Sequence, residues 1–535
     1  MLIMFLCNYS GLPPAIRAVF LFPKKIVLRV DRFRIKAYVC DMPNVQPCQP
    51  MPPAMTREDA LAVFRAGPEA VVDLLLAMDA RIRALCVIEE RFAVLEGMLA
   101  KNSRNSSKPP SSDGLAKPAP KSLRKPSGRK PGGQPGHLGR TLERVETPDV
   151  IELHRVEHCE CCGKELGDQA PDQIEKRQMH DLPPIQLVVT EHRAEVKRCG
   201  CGHLNKAAFP VGIRAPTQYG PNIKAVAVYL NQYQLLPYAR TCEALENLLG
   251  APMSEGSLAN ILDEAAALSE EPVARIAAAI RAAPVAHFDE TGLRVGGNLC
   301  WQHTASTAHA TFFSIHARRG TEAMDEADIL PGFGGTAVHD YWKPYLSYTC
   351  FHALCNAHHL RDLTFVHEQL GQPWADEAAG LLVRMKQSAE RANADGLVRL
   401  PAEELAELEQ RWQEVIDQGY ASNPLPPVPP GRKKRGKPKK GKGRNLVERF
   451  DQRRHEVLAF LYDFTVPFDN NLAERDLRMG KVRQKISGQF KRIEHARNFC
   501  RIRSYISTAR KNSVQAFESL IGLFTDNPFL LPAPE

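Results

Sequence analysis

The sequence has no long uninterrupted apolar run. Its apolar N-terminal stretch, Met1 to Phe22, is broken by Pro13, Pro14 and Arg17, and no clear small-residue cleavage site follows it. Neither a spanning helix, which needs about 20 apolar residues, nor a removable leader is expected, and no membrane partner. There is no internal repeat, which argues against a solenoid or propeller. Composition has no extremes either: 44% hydrophobic and 24% charged residues exclude collagen-like, disulfide-scaffold and low-hydrophobicity disordered chains. What is present is length, since 535 residues exceed what one core supports; about two to four domains are expected. Fourteen cysteines, several of them in Cys-x-x-Cys and Cys-x-Cys clusters, suit metal ligation in a reducing cytoplasm better than a disulfide framework.

The net charge of +9 hides a strong asymmetry. Residues 101–140 carry ten Lys/Arg against one acid, 432–444 nine against none, and 475–511 twelve against two, so the rest of the chain is net acidic. Three cationic blocks on an acidic protein suit a polyanion such as nucleic acid. Arg129, Lys130, Lys433 and Lys434 are candidate DNA contacts from the first two blocks.

Organisation follows from pattern. Residues 1–55 precede the first strongly patterned segment, with Met51 and Met55 just ahead of it, and are expected to be a non-native or disordered extension. Residues 56–100 have apolar positions at three- and four-residue steps, including Leu75, Met78, Ile82 and Leu85, which predicts a helical hairpin or coiled coil. Residues 101–145, rich in Ser, Pro, Gly and Lys/Arg, read as a basic disordered arm, 146–212 as a Cys-bearing domain, and 213–283 as helical. Strand-like runs follow at Val285 to Val295, Cys300 to Thr307 and Thr311 to Ala317, then a helix from Thr321 and a short strand, Thr336 to His339. That order opens an RNase H-like α/β fold. A helical insertion with a basic loop is expected at about 371–455 within a core of 284–500. The fold class is thus multidomain α+β.

Asp289 and Asp340 each follow apolar strand residues, in His287-Phe288-Asp289 and Val338-His339-Asp340. Carboxylates at neighbouring strand ends can converge on hard divalent cations, with Mg²⁺ or Mn²⁺ preferred over Ca²⁺. A third acid, Glu474, lies in Asp469-Asn-Asn-Leu-Ala-Glu-Arg-Asp-Leu-Arg478, where Asp469 or Asn470 is a natural N-cap. Arg478, Lys481 and Lys485 then fall on the face of Glu474, a cationic stripe suited to DNA phosphate, and Asp476 points elsewhere. Three such carboxylates can hold two metals for phosphoryl transfer. His358 or His359 is a candidate supporting group. Cys159, Cys162, Cys199 and Cys201 are the natural tetrahedral zinc set, with Cys161 a rival in the first pair.

These residues resemble the transposases of the insertion-sequence-66 family, over roughly residues 70 to 530. The resemblance is carried by Lys101-Asn-Ser-Arg-Asn-Ser-Ser-Lys-Pro-Pro-Ser-Ser-Asp113, Gly132-Gly-Gln-Pro-Gly-His137, the paired cysteines, both strand aspartates, and above all 469–478 continuing to Gln484-Lys-Ile-Ser-Gly488. It implies an Asp-Asp-Glu catalytic core of RNase H type, with Asp289, Asp340 and Glu474 at the motif positions, behind a zinc-finger domain and followed by a helical tail at 501–535. It further implies metal-dependent cleavage and transfer of double-stranded DNA at element ends, a homo-oligomer on DNA, accessory proteins of the same element, and a nucleoid-associated place in a bacterial cytoplasm. Residues 1–50 have no counterpart in the resemblance, and Cys161 blurs the ligand set. A DNA-binding accessory protein and a host nuclease of the same fold are the alternatives.

Overall fold

The computed structural model describes residues 26–31, 34–39, 56–102, 104–106, 142–183, 185–425 and 440–532. The chain divides into two units, residues 1–95 and 96–535. In the first, β1 (Ile26–Asp31) and β2 (Arg34–Val39) form an antiparallel hairpin within the stretch expected to be an extension. Helix α1 (Arg57–Arg65) opens with a reciprocal cap: Thr56 Oγ1 accepts from the Asp59 N–H at 3.2 Å while the Asp59 carboxylate accepts from the Thr56 N–H at 2.9 Å. Gly67, at φ +109, separates it from α2 (Pro68–Leu99), along which Leu75, Met78, Ile82 and Leu85 are exposed.

In the second unit, residues 142–220 carry little regular structure beyond the hairpin of β3 (Val196–Arg198) and β4 (Leu204–Lys206). Four helices follow: α3 (Pro221–Val228), α4 (Tyr238–Leu249), α5 (Glu255–Leu268) and α6 (Glu270–Arg281). Ser254 caps α5 by accepting the Ser257 N–H at 3.0 Å.

A five-stranded sheet comes next: β5 (Val285–Val295), β6 (Asn298–Ser306), β7 (Thr311–His316), β8 (Thr336–His339) and β9 (Phe351–Leu354), in the order β7-β6-β5-β8-β9. The first three strands are an antiparallel meander, and β5, β8 and β9 are parallel. Helix α7 (Thr321–Glu326) links β7 to β8. Burial strictly alternates along β7, as expected for a strand with one covered face, whereas β8 is buried almost throughout, as short parallel strands are.

After β9 come α8 (Asn356–Leu370), α9 (Pro373–Ala394), α10 (Ala402–Ser422), α11 (Lys442–Gln452), α12 (Arg454–Val457) and α13 (Ala459–Tyr462). Trp374, Leu381, Met385, Trp412, Ile416 and Phe450 give these helices a core of their own, which includes Leu363 and Val366 of α8. The chain then returns to the sheet through α14 (Asn471–Ser487), α15 (Ile493–Lys511) and α16 (Ala516–Phe524). Helix α15 runs unbroken across position 500 and shares one core with α3, α5, α6 and the sheet, through Ile502, Tyr505 and Ile506. It also covers the free edge of β7, where the Thr311 and Phe313 N–H groups donate to Thr508 Oγ1 at 3.0 Å and Ser504 Oγ at 2.8 Å. Those donors would otherwise offer an exposed edge to a foreign strand.

Candidate active site

The parallel pairing of β5 and β8 sets His287 opposite Val338; carried two residues further, the register sets Asp289 opposite Asp340. Neighbouring strands lie about 4.8 Å apart and equivalent positions face the same side. The Glu290 N–H donates to Asp289 Oδ1 at 2.9 Å and the Trp342 N–H to Asp340 Oδ1 at 3.0 Å. Both residues are half-buried. Burial therefore leads in pushing Asp289 well above the ordinary carboxylate range, and the charges of Glu290, Glu474 and Asp340 push the same way. Burial raises Asp340 as well, against the Trp342 N–H, Arg319 and Arg449.

Glu474 enters from the first turn of α14. The start of that helix is tied down by Asn470, which is almost fully buried. Its amide donates to the Phe288 carbonyl at 2.7 Å and pairs with His287 Nδ1 at 2.9 Å, and its backbone N–H donates to Cys355 Sγ at 3.2 Å. Asn470 occupies the N-cap position but spends its side chain on β5; the Asp469 carboxylate accepts the Asn471 N–H at 3.1 Å instead. Burial raises the Glu474 carboxyl, Asp469 and Asp340 raise it further, and Arg361 and Arg478 oppose the shift. Its Oε1 is buried without a hydrogen-bond partner.

His358 Nε2 lies 3.9 Å from that oxygen. Cys355, His358 and Glu474 are the one group of three His, Cys, Asp or Glu residues among the described residues whose ligand atoms all fall within 4.8 Å of one another. Burial, then Arg361 and Arg449, lowers His358 to about 4, so its ring is neutral at pH 7. His359 is committed to structure, with Nδ1 3.0 Å from Asn356 Oδ1 and its ring against Phe450. Of the two histidines, His358 is the one beside the acids.

Several groups at this site escaped the sequence reading. Glu290, buried beside Asp289, accepts from Arg319 Nε at 2.7 Å and from the Tyr345 hydroxyl. The Arg319 guanidinium lies 4.0 Å from the Trp342 ring centre and 4.9 Å from that of Trp301. Asn470 lay within the quoted motif but read only as a cap. The consecutive acids Asp289-Glu290 were the available signal for Glu290, whereas Arg319 and Tyr345 meet it only through the fold.

The other predicted residues divide. Arg478 and Lys485 are exposed on α14, whereas the Lys481 ammonium is bonded to the Gly292 carbonyl. Asp476 does point elsewhere, accepting from Ser306 at 2.7 Å, Thr311 at 3.0 Å and Lys511 at 2.8 Å. Arg129, Lys130, Lys433 and Lys434 lie outside the described residues. The cysteines sit in two tight turns, closed by Gly163 N–H to Cys159 O at 2.9 Å and Gly202 N–H to Cys199 O at 2.8 Å, with both glycines at positive φ. Backbone N–H groups of Cys162 and Cys161 lower the Cys159 thiol, and that of Cys201 lowers Cys199. Among the described residues the two turns do not come together into a ligand cluster.

Half-buried acids thus stand in the middle of β5, just past the end of β8 and at the start of α14, in an α+β fold with a mixed five-stranded sheet; the sequence placed Asp289 at a strand exit, but β5 runs on for six residues beyond it. A family model described as the IS66 family of transposases matches residues 216–498, which includes all three acids, and the chain belongs to that family. Residues 69–143 match a family of unknown function. The chain matches none of the curated proteins. Among solved structures it is similar to a chain in the cryo-EM structure of the simian T-cell lymphotropic virus intasome in complex with PP2A regulatory subunit B56 gamma. That likeness is 13% identical, covers 39% of this chain and 80% of the other, and at a TM-score of 0.12 is too slight to bear on fold or function.

Proposed function

We propose that the chain is a DNA transposase whose Asp289, Asp340 and Glu474 are the catalytic acids of an RNase H-like core, cutting and rejoining phosphodiester bonds at the ends of an insertion element. The observation that carries this reading is that Asp289 is raised by the charges of both Glu474 and Asp340, and Glu474 by that of Asp340, with Glu474 Oε1 buried and without a donor, although the ligand atoms of the three acids do not all fall within 4.8 Å of one another. A cluster that repels itself is stabilised by a cation, and its all-oxygen acid set suits a hard divalent one. The antiparallel meander followed by parallel strands supports the RNase H-like assignment.

Asp289, Asp340 and Glu474 would hold a pair of Mg²⁺ or Mn²⁺ ions, which when bound supply Lewis acidity to the phosphodiester. The protein's own part is placement. Asn470 ties the start of α14 to His287 and Phe288 of β5, so Glu474 cannot drift from the strand that carries Asp289. Arg361 and Arg478, close enough to act on Glu474, offer positive charge to a phosphate, and neutral His358 can hydrogen-bond one. Cys159, Cys162 (or Cys161), Cys199 and Cys201 would hold Zn²⁺ in the preceding module: two turns that present cysteines with lowered thiols suit a zinc knuckle, once the turns close on the ion. Element ends and target DNA are the partners, met as a homo-oligomer with accessory proteins of the element.

The test offers the full chain, with Mg²⁺, three labelled DNAs: the element's own ends, a branched junction, and an unrelated duplex. Selective nicking of the ends supports the transposase reading. Preferential cutting of the junction favours a resolvase-like nuclease, and binding to the ends without cutting any of them favours an accessory role.

A further inference from the structure

Two helix starts meet beside the acids and bring a sulfur and an imidazole to Glu474. Cys355 is the N-cap residue of α8 and His358 lies three residues on, a spacing that sets two side chains on one face. Glu474 comes from the first turn of α14. Ligand atoms of the three residues all lie within 4.8 Å of one another, and His358 Nε2 is 3.9 Å from Glu474 Oε1. A tetrahedral ion with bonds of about 2.0–2.3 Å sets its ligand atoms roughly 3.3–3.6 Å apart, so a closure of about 1 Å suffices.

The backbone fixes both helix starts. The Cys355 N–H donates to the His339 carbonyl at 2.9 Å and the Asn356 N–H to the Phe468 carbonyl at 3.1 Å, while the Asn356 amide donates to the Val457 carbonyl at 2.9 Å. The Asn470 N–H donates to Cys355 Sγ at 3.2 Å, which ties the sulfur to the helix that carries Glu474, and the N–H groups of His358 and Ala357 also favour a thiolate there. Hydrogen bonds of this kind orient a metal ligand and tune it. Two of the three side chains hold uncommitted atoms, since Glu474 Oε1 and His358 Nδ1 are buried without a hydrogen-bond partner. One sulfur, one nitrogen and one oxygen suit a zinc-class ion and not Mg²⁺, which takes oxygen ligands.

We propose that Cys355, His358 and Glu474 form a metal site of their own, which takes one zinc-class divalent ion with water as its fourth ligand. On binding, the sulfur gives its proton to solvent and forms the metal–sulfur bond. Burial pushes the free thiol up to about 12, so the ion must displace that proton and the site fills only after the cysteine module. An ion held here withholds Glu474 from Mg²⁺; that consequence rests on the proposed catalytic role of Glu474, and the site itself does not.

The experiment adds Co²⁺ to full-length protein whose cysteine module already carries zinc, which Co²⁺, the weaker binder, leaves in place. The readout is thiolate-to-cobalt charge-transfer absorption, which oxygen ligands alone do not give. The expected result is about one cobalt per chain with that absorption, lost in Cys355→Ser, and an affinity at least about tenfold weaker in His358→Asn and in Glu474→Gln. No absorption in the wild type, or unchanged absorption in Cys355→Ser, overturns the site. Should Cys355→Ser fail to fold, the other two variants decide, because both keep the sulfur; wild-type affinity in both overturns the site. The readout involves no DNA. A chain with Cys355-dependent absorption that never cuts DNA keeps the site and refutes the transposase chemistry, whereas a chain that nicks element ends normally without such absorption refutes the site alone.

Discussion

Asp289 is held against its own charge. Its pKa is raised by burial and by the charges of Glu290, Glu474 and Asp340, so the folded chain keeps a proton there to higher pH than the unfolded chain does. That contribution to stability is present at low pH and is lost as pH rises through the raised pKa. At neutral pH without divalent ions, Asp289→Asn should therefore melt a few degrees higher than wild type, at about 2–4 °C per kcal/mol for a domain of this size, while losing cleavage. Calorimetry in EDTA checks this; an unchanged or lower Tm would mean that the carboxylate is not strained. By the same reasoning, Mg²⁺ should raise the wild-type Tm more at about pH 8 than at about pH 5, where protons compete for the same oxygens. Asn470 works in the opposite sense. Asn470→Ala strips partners from His287 and from the Phe288 carbonyl, both buried, and should cost about 2–4 kcal/mol in urea unfolding. A loss below about 0.5 kcal/mol would show that water or a rearranged side chain replaces it.

At the scale of elements, the site depends on how closely β8 lies against β5. Gly335 precedes β8, and a Cβ there would fall 2.5 Å from both the Ala283 and Pro284 carbonyl oxygens, beside the Thr336 N–H to Pro284 O bond of 2.8 Å. Both obstacles are backbone and cannot swing aside. Gly335→Ala should thus cost about 1–3 kcal/mol and depress cleavage more than DNA binding, because it displaces Asp340 relative to Asp289. Equal losses in both would point to general unfolding. The sequence made β5 to β8 legible because their β-branched and aromatic runs are bounded by turns. It concealed β9: Phe351–Leu354 is four residues long, and a short parallel strand lacks the alternation that marks a half-buried one. Helix α15 read only as a tail, because Ser504 and Thr508 show their use only once the β7 edge stands beside them.

Across the whole molecule, the acids could be singled out because each sits in a short local motif, one within a long strand, one just past a short strand and one at a helix start. Their support could not. Glu290 meets Arg319 and Tyr345, 29 and 55 positions away, and Asn470 meets His287 across 183, contacts that no local pattern encodes. The helices at 221–281 likewise read as a separate stretch but share a core with α15 and the sheet, so they should unfold with the sheet. Among the described residues the cysteine turns have no such buried core, and the proposed zinc would be what holds them together. Full-length protein should carry about one zinc per chain by elemental analysis. Cys199→Ser should lose it while the melting of the sheet-containing core is unchanged; full zinc content in that variant would remove Cys199 from the ligand set.

The central claim is that Asp289, Asp340 and Glu474 act as one set. It is tested most directly by Mg²⁺-dependent nicking of labelled element-end DNA by wild type, Asp289→Asn, Asp340→Asn and Glu474→Gln, each first shown to be folded and to bind that DNA. The account predicts that wild type nicks and that each single variant falls by at least about 10³-fold, with double variants little worse than single ones because the acids work as a unit. Nicking near the wild-type rate by any one variant would contradict it.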